Sequence, residues 1–328
     1  MVFTRGELFQ SCFALYVFIL TLHAITFPKR NPLKRPRRQN VTIVTVRMLF
    51  GLPANILFGC WLGLWLAFWE VSRQPLWKPI LDPSRMPRKV GLELCGGGFR
   101  TWYNLGVYWG LYDSVGALGL RQMYFSGASI GALVAAVAAC GIHPADIWAH
   151  IPAIADGYRR HFVWHFSQVG QFCRYLLHSL LPEDAHLLVK GRLFISISLL
   201  LPFPHNVLRS EFISREDLID AVIASQFIPT WTHPGVCFYQ GNMCIDGGAT
   251  NNLPAISDNA VRVGLDADDI LSWCVDLLPS QPLTRANTFY PADEGSLQRM
   301  LDCGKDDVLD WLSTARGGQF LNSHRASS

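Results

Sequence analysis

The apolar positions fall into two regimes. Near the start, residues 8–27 and 48–69 hold no Asp, Glu, Lys or Arg. Each stretch is long enough for a bilayer core that takes roughly 20 apolar residues. Between them runs Pro28-Lys29-Arg30-Asn31-Pro32-Leu33-Lys34-Arg35-Pro36-Arg37-Arg38, the kind of basic loop that stays cytoplasmic. A cleaved signal peptide is the other reading of the first stretch, but no small-x-small site precedes Pro28. In the second stretch Gly51, Pro53, Asn55, Gly59 and Gly63 interrupt the run, and Trp61, Trp65 and Trp69 recur every fourth residue. A hairpin in one leaflet or an interfacial helix therefore stands beside a simple span. Residues 75–87 contain Pro75, Pro79, Pro83 and Pro87 and form a linker.

From residue 89 the pattern becomes that of an α/β domain. Strands are expected at 90–95, 123–125, 191–198 and 269–275. Residues 236–239 and 243–245, joined by a Gln240-Gly241-Asn242 turn, form a hairpin. Helices are expected at 106–115, 131–140, 145–158, 161–181 and 215–224. The last is capped by Ser214, with Glu216 and Asp217 in its first turn. Residues 296–312 carry an amphipathic stripe that includes Leu297, Met300, Leu301, Val308, Leu309 and Leu312. Residues 317–328 are polar and expected to be loose. The organisation is thus 1–88 membrane-anchoring segments and linkers, 89–316 a catalytic domain, and 317–328 a tail.

Composition sharpens this picture. Only 16% of the 328 residues are charged and half are hydrophobic, against roughly 25% charged in a soluble domain. Membrane contact or an unusually apolar chain is expected. A net charge of +3 and the lack of any zinc-finger, homeodomain or RNA-binding pattern give no case for nucleic acid. Nine cysteines without a Cys-x-x-Cys pair argue against a disulfide scaffold or a structural zinc site. His161, His165 and His178 have no metal-binding spacing.

Three stretches carry chemistry. Gly127-Ala128-Ser129-Ile130-Gly131 joins a buried strand to an Ala-rich helix with Gly-x-Ser-x-Gly spacing. A serine at such a turn is strained and outward-facing, its flanking glycines avoid collision, and the helix start favours an anion. Gly96-Gly97-Gly98-Phe99-Arg100 follows the first strand. Its amides can form an anion-binding concavity, and Arg100 can fix the loop or support the anion. Neither a dinucleotide fingerprint nor a phosphate-binding loop fits, because position 101 is Thr and no Gly-Lys-Ser/Thr follows. One strand–helix–strand unit separates the two turns, so both can lie at one edge of a parallel sheet. The hairpin delivers Asp246-Gly247-Gly248 at a strand end, which keeps the carboxylate near the sheet.

Together these stretches resemble the patatin-like phospholipase family, and Ser225 to Pro229, Gly191-Arg192-Leu193 and Asn252-Leu253-Pro254 are similar to its adipose triglyceride lipase-like branch. Cys95 departs from the Asp that many members carry before the glycines. The resemblance covers about 90–312 and leaves membrane topology open. It implies a three-layer α/β sandwich with a mainly parallel sheet, preceded here by the hydrophobic segments. It implies a Ser129–Asp246 dyad without a catalytic histidine, an oxyanion hole from Gly96, Gly97, Gly98 and Arg100, and supporting glycines at 127, 131, 247 and 248. No metal or other cofactor is implied. The expected partners are a lipid substrate and a membrane or lipid-droplet surface, the catalytic domain facing the cytosol. Whether a protein activator acts on it is left open by the motifs. The expected reaction is cleavage of fatty-acyl esters of triacylglycerol or phospholipid. Acyl transfer to another alcohol is the alternative, as is a non-catalytic lipid-binding scaffold. An ordinary Ser-His-Asp hydrolase would need a histidine after Asp246, where the sequence offers only His324.

Overall fold

A computed structural model describes residues 90–326 apart from 163–166, 202, 230, 234 and 267–274. Both N-terminal hydrophobic stretches, the basic loop, His165 and most of the strand expected at 269–275 lie outside the described residues. Among the described residues no helix is long and apolar enough to cross a membrane.

In chain order the strands are β1 (Gly91–Leu94), β2 (Tyr124–Ala128), β3 (Leu193–Leu199), β4 (His205–Arg209), β5 (Cys237–Tyr239), β6 (Asn242–Ile245) and β7 (Ala260–Val263). The helices are α1 (Trp102–Leu120), α2 (Ile130–Ala139), α3 (Pro144–Trp148), α4 (Ile151–Arg160), α5 (Val169–Leu180), α6 (Ala185–Leu188), α7 (Arg215–Ser225), α8 (Gly248–Asn251), α9 (Glu294–Ser313) and α10 (Ala315–Ala326).

The sheet is mixed rather than mainly parallel. Neighbours β7–β1, β1–β2 and β2–β3 are parallel, whereas β3–β4, β3–β6 and β5–β6 are antiparallel. The parallel part is the strand–helix–strand core. The antiparallel part is the hairpin β5–β6 and a return strand, β4, where chain reversal is local. Ile195 to Leu199 of β3 pair with β4 throughout. A strand has two edges, so β2, paired to Ser196, and β6, paired to Ser198, share the other edge. They run towards each other along it. The C-terminal ends of β2 and β6 therefore meet beside the middle of β3.

Alternation sorts the two faces. Leu92, Leu94, Phe125, Ile195, Ile197, Val261 and Val263 enter the main core with α1, α2, α7 and α9. The opposite face carries Glu93, Tyr124, Phe194 and Ser196. Its small apolar cluster is Tyr124, Phe194, Ile256 and Ala260, and α8 lies against β3 and β4. Glu93 is buried there because it accepts from Tyr124 Oη (2.8 Å) and the Ile256 amide (2.6 Å) and pairs with Arg262 (3.0 Å). Among the described residues this second outer layer is thin.

Several element boundaries differ from the sequence reading. The helix expected at 145–158 is two helices, α3 and α4, because Pro152 sits in the first turn of a new helix. In place of a helix across 161–181 the chain has Ser167 at φ 69° and α5 beginning at Val169. The expected loose tail is helix α10. Its Phe320 is buried against Trp311 of α9, with ring centroids 5.6 Å apart.

Candidate active site

Ser129 sits between β2 and α2 with φ 53° and ψ −134°. A side-chain-bearing residue occupies this region only when its surroundings hold it there. The flanking glycines show what does so. A Cβ on Gly127 would lie 2.5 Å from the Gly131 carbonyl, and one on Gly131 would lie 2.5 Å from the Cys95 carbonyl. The turn is thus wedged between α2 and the glycine loop with no room for a methyl group. The amide of Ser129 donates to Ser225 Oγ at 2.9 Å, which pins the turn from the end of α7.

Asp246 follows the last residue of β6, so the converging strand ends bring it to Ser129. Ser129 Oγ donates to Asp246 Oδ2 at 2.5 Å, within the range of a charge-assisted O–H···O⁻ bond. Oδ1 accepts from the Gly248 amide at 2.7 Å. The backbone is held as tightly: the Asp246 amide donates to the Phe227 carbonyl (2.7 Å) and Ser198 Oγ donates to the Asp246 carbonyl (2.7 Å). Gly247 lies against the Ser196 carbonyl, where no side chain fits. Gly248 lacks room for another reason, since a Cβ there would stand 2.9 Å from Asp246 Oδ1. Burial pushes the Asp246 carboxyl up to about 6, against the downward pull of the Ser129 and Gly248 hydrogen bonds. Among the described residues no histidine is hydrogen-bonded to it.

The glycine loop divides its labour. The Gly96 amide donates to Asn252, to its carbonyl at 3.3 Å and its Oδ1 at 3.1 Å, so that amide is spent on the loop and is not available to an oxyanion. This corrects its assignment to the hole. A Cβ on Gly96 would also stand 2.6 Å from Ser129 Cβ, so glycine is needed for the close approach. The amides of Gly97 and Gly98 find no hydrogen-bond acceptor among the described residues. Gly98, at φ +60°, packs under the Thr288 carbonyl. Arg100 is held by Asp266, with Nη1 at 2.9 and 2.8 Å from the two carboxylate oxygens. Of the two roles open to it, the geometry is that of fixing the loop.

An apolar pocket opens from Ser129. Leu133 of α2, Ile151 and Ile154 of α4, and Val169, Phe172 and Leu176 of α5 form its walls, and Gly98 and Phe99 also line it. It has the chemistry of a hydrocarbon-chain site. Among the described residues no cluster of His, Cys, Asp and Glu could hold a metal ion.

Sequence reasoning brought Ser129, Asp246 and the glycines together but missed their supports. Ser198 and Asp266 lie in none of the motif stretches, and Ser225 and Asn252 lie in stretches that carry the resemblance without disclosing what their side chains hold. Only their contacts in space with Ser129, Gly96, Arg100 and Asp246 reveal them.

A family model described as Patatin-like phospholipase matches residues 92–257. The human protein named "Omega-hydroxyceramide transacylase" is 31% identical over 166 residues, covering 50% of this chain and 31% of its own. Human "Patatin-like phospholipase domain-containing protein 4" is 29% identical over 248 residues, 69% of this chain and 97% of its own. Rat "Patatin-like phospholipase domain-containing protein 2" is 32% identical over 170 residues, 51% of this chain and 35% of its own. The chain spans about a third of the length of the first of these. Since the family match takes in the glycine loop, Ser129 and Asp246, the chain belongs to the patatin-like phospholipase family, in its adipose triglyceride lipase-like branch.

Proposed function

We propose that this protein is a membrane-associated serine lipid acyl hydrolase that cleaves fatty-acyl esters of triacylglycerol or phospholipid. One observation carries the reading: the 2.5 Å hydrogen bond from Ser129 to buried Asp246 at the end of an apolar pocket. Asp246 takes the Ser129 proton as Oγ attacks the ester carbonyl. A free Asp, at roughly 3.9, is a poor base; the raised value here narrows the gap to neutral pH. The amides of Gly97 and Gly98 receive the oxyanion, and loss of one such donor typically costs on the order of 10² in rate. The proton passes to the leaving alcohol, and water then releases the acyl group from Ser129.

Acyl transfer to a second alcohol uses the same intermediate and is the alternative. The likeness to a protein named as a transacylase supports it. The deciding experiment follows acyl release from labelled triacylglycerol and phosphatidylcholine emulsions by wild type, Ser129→Ala and Asp246→Asn, with and without an acceptor lipid. Wild type should release fatty acid, and each variant should lose at least about 100-fold. Product appearing only with acceptor favours transfer, and equal activity in variants and wild type overturns the dyad.

The two hydrophobic stretches and the basic residues around them support attachment to endoplasmic reticulum or lipid droplet, with the catalytic domain in the cytosol. Protease added to intact vesicles should then digest residues 90–326; full protection would place the domain on the luminal side.

A further inference from the structure

The pocket is lined by polar side chains that its hydrocarbon walls do not explain. Gln226 and Trp102 both line it. The residues are 3% and 5% exposed. Gln226 Nε2 and Trp102 Nε1 are buried with no hydrogen-bond partner among the described residues. A dry, unpaired donor is unfavourable in the empty protein and needs a reason.

Their location suggests the reason. Gln226 directly follows Ser225, whose Oγ holds the Ser129 amide. Trp102 directly follows the Gly98–Thr101 turn of the glycine loop. Both donors thus come from the segments that fix the nucleophile, while the walls on α4 and α5 are mainly hydrocarbon, with Tyr158 and Cys173 among them. An acyl chain carries no oxygen except at the scissile ester, whose carbonyl falls to Gly97 and Gly98. The remaining acceptor must belong to the alcohol side of the ester.

Resting on the hydrolase reading above, we infer that Gln226, seconded by Trp102, is a positioning residue. It donates a hydrogen bond to a neutral oxygen on the alcohol portion of the substrate, next to the scissile ester. A free hydroxyl of a partial ester and the carbonyl of a neighbouring ester supply the same chemistry. The site is therefore built for esters of polyols over esters of simple alcohols. Such selectivity arises because a buried donor left unpaired by the wrong substrate penalises it.

The test uses the full chain in detergent micelles and three esters of one acid: ethyl laurate, ethylene glycol monolaurate and ethylene glycol dilaurate. Wild type should show a higher kcat/KM for at least one glycol ester than for ethyl laurate, by about 10- to 100-fold. In Gln226→Met, an apolar side chain of similar length, that ratio should fall towards one. The change should lie mainly in KM, and the melting temperature should be unchanged or higher. The monoester identifies the hydroxyl as the acceptor and the diester the carbonyl. A ratio equal in wild type and Gln226→Met overturns the inference, as does a wild-type ratio of one. If no ester is cleaved, the hydrolase reading fails separately. The same discrimination is then read as displacement of a fluorescent fatty acid from Ser129→Ala and from Ser129→Ala/Gln226→Met. Equal displacement by the glycol and ethyl esters overturns the inference there.

Discussion

As the proposed base, Asp246 has to be charged to accept a proton, yet it sits where charge is disfavoured. It is 9% exposed, and its carboxyl stands at about 6 against 3.8 for a free one. The folded state therefore holds this proton more tightly than the unfolded chain does. The stability this gives is complete below about pH 4 and is lost as pH rises through about 6. At pH 8 the ionised group costs the fold about 3 kcal/mol relative to a neutral one. Asparagine keeps the acceptor for the Gly248 amide and replaces the charge with an amide that can face Ser129 Oγ. Asp246→Asn should therefore melt higher than wild type at pH 8, with the difference closing by pH 4. Its activity should be lost at both. Thermal unfolding at the two pH values checks this, and a variant whose advantage over wild type is no larger at pH 8 than at pH 4 speaks against a strained carboxylate. In the wild type the acid limb of kcat/KM should lie near pH 6, where Asp246 gains its proton.

At the scale of elements, the glycine loop depends on a helix pair far along the chain. It turns directly into α1, and α1 packs on α9 with backbone against backbone. A Cβ on Gly106 would stand 3.0 Å from the Lys305 amide nitrogen, and one on Gly304 would stand 3.0 Å from the carbonyl carbon of Tyr103. Gly304→Leu should force the helices apart, costing about 1–3 kcal/mol, or several degrees in melting temperature. Activity should fall with it, because α1 carries the loop; unchanged stability would mean that the crossing tolerates bulk. The apolar stripe of α9 was legible in the sequence, as were β1, the Ser129 turn and the β5–β6 hairpin, since each has a strong period or a turn signal. Strand β4 was not: its His205-Asn206-Val207-Leu208-Arg209 lies exposed or half-buried at a sheet edge, so no apolar alternation marks it. Strand β7 was missed because Arg262 interrupts its apolar run, and that arginine is there to pair with Glu93. The convergence of β2 and β6 on one edge of β3 was illegible for another reason. It is a property of register, which no local pattern encodes.

For the whole molecule, the end of the chain belongs to the catalytic unit. Polar composition pointed to a loose tail, but two side chains tie α10 down. Phe320 is buried against Trp311. Arg316 reaches Asp276 at 2.7 Å, and that carboxylate is almost wholly buried. Asp276 in turn accepts from the Arg262 amide at 3.0 Å, and the Arg262 side chain pairs with Glu93 of β1. A chain of charges thus runs from the C-terminal helix to the strand that ends in the glycine loop. Arg316 is itself more than half exposed, so solvent screens its share and Arg316→Met should cost only about 1 kcal/mol. Phe320→Ala should cost more, about 2–3 kcal/mol, because it empties a packed site. Ending the chain at Thr314 removes both contacts and uncovers Trp311. Since Arg316 and Phe320 have separate partners, the loss should approach the sum of the two, read as a lower denaturation midpoint at unchanged pH. A truncated protein as stable as the full chain would return α10 to the status of a tail. A truncated protein that is less stable yet cleaves ester at full rate at low temperature would show that the charge chain supports the fold without tuning the loop.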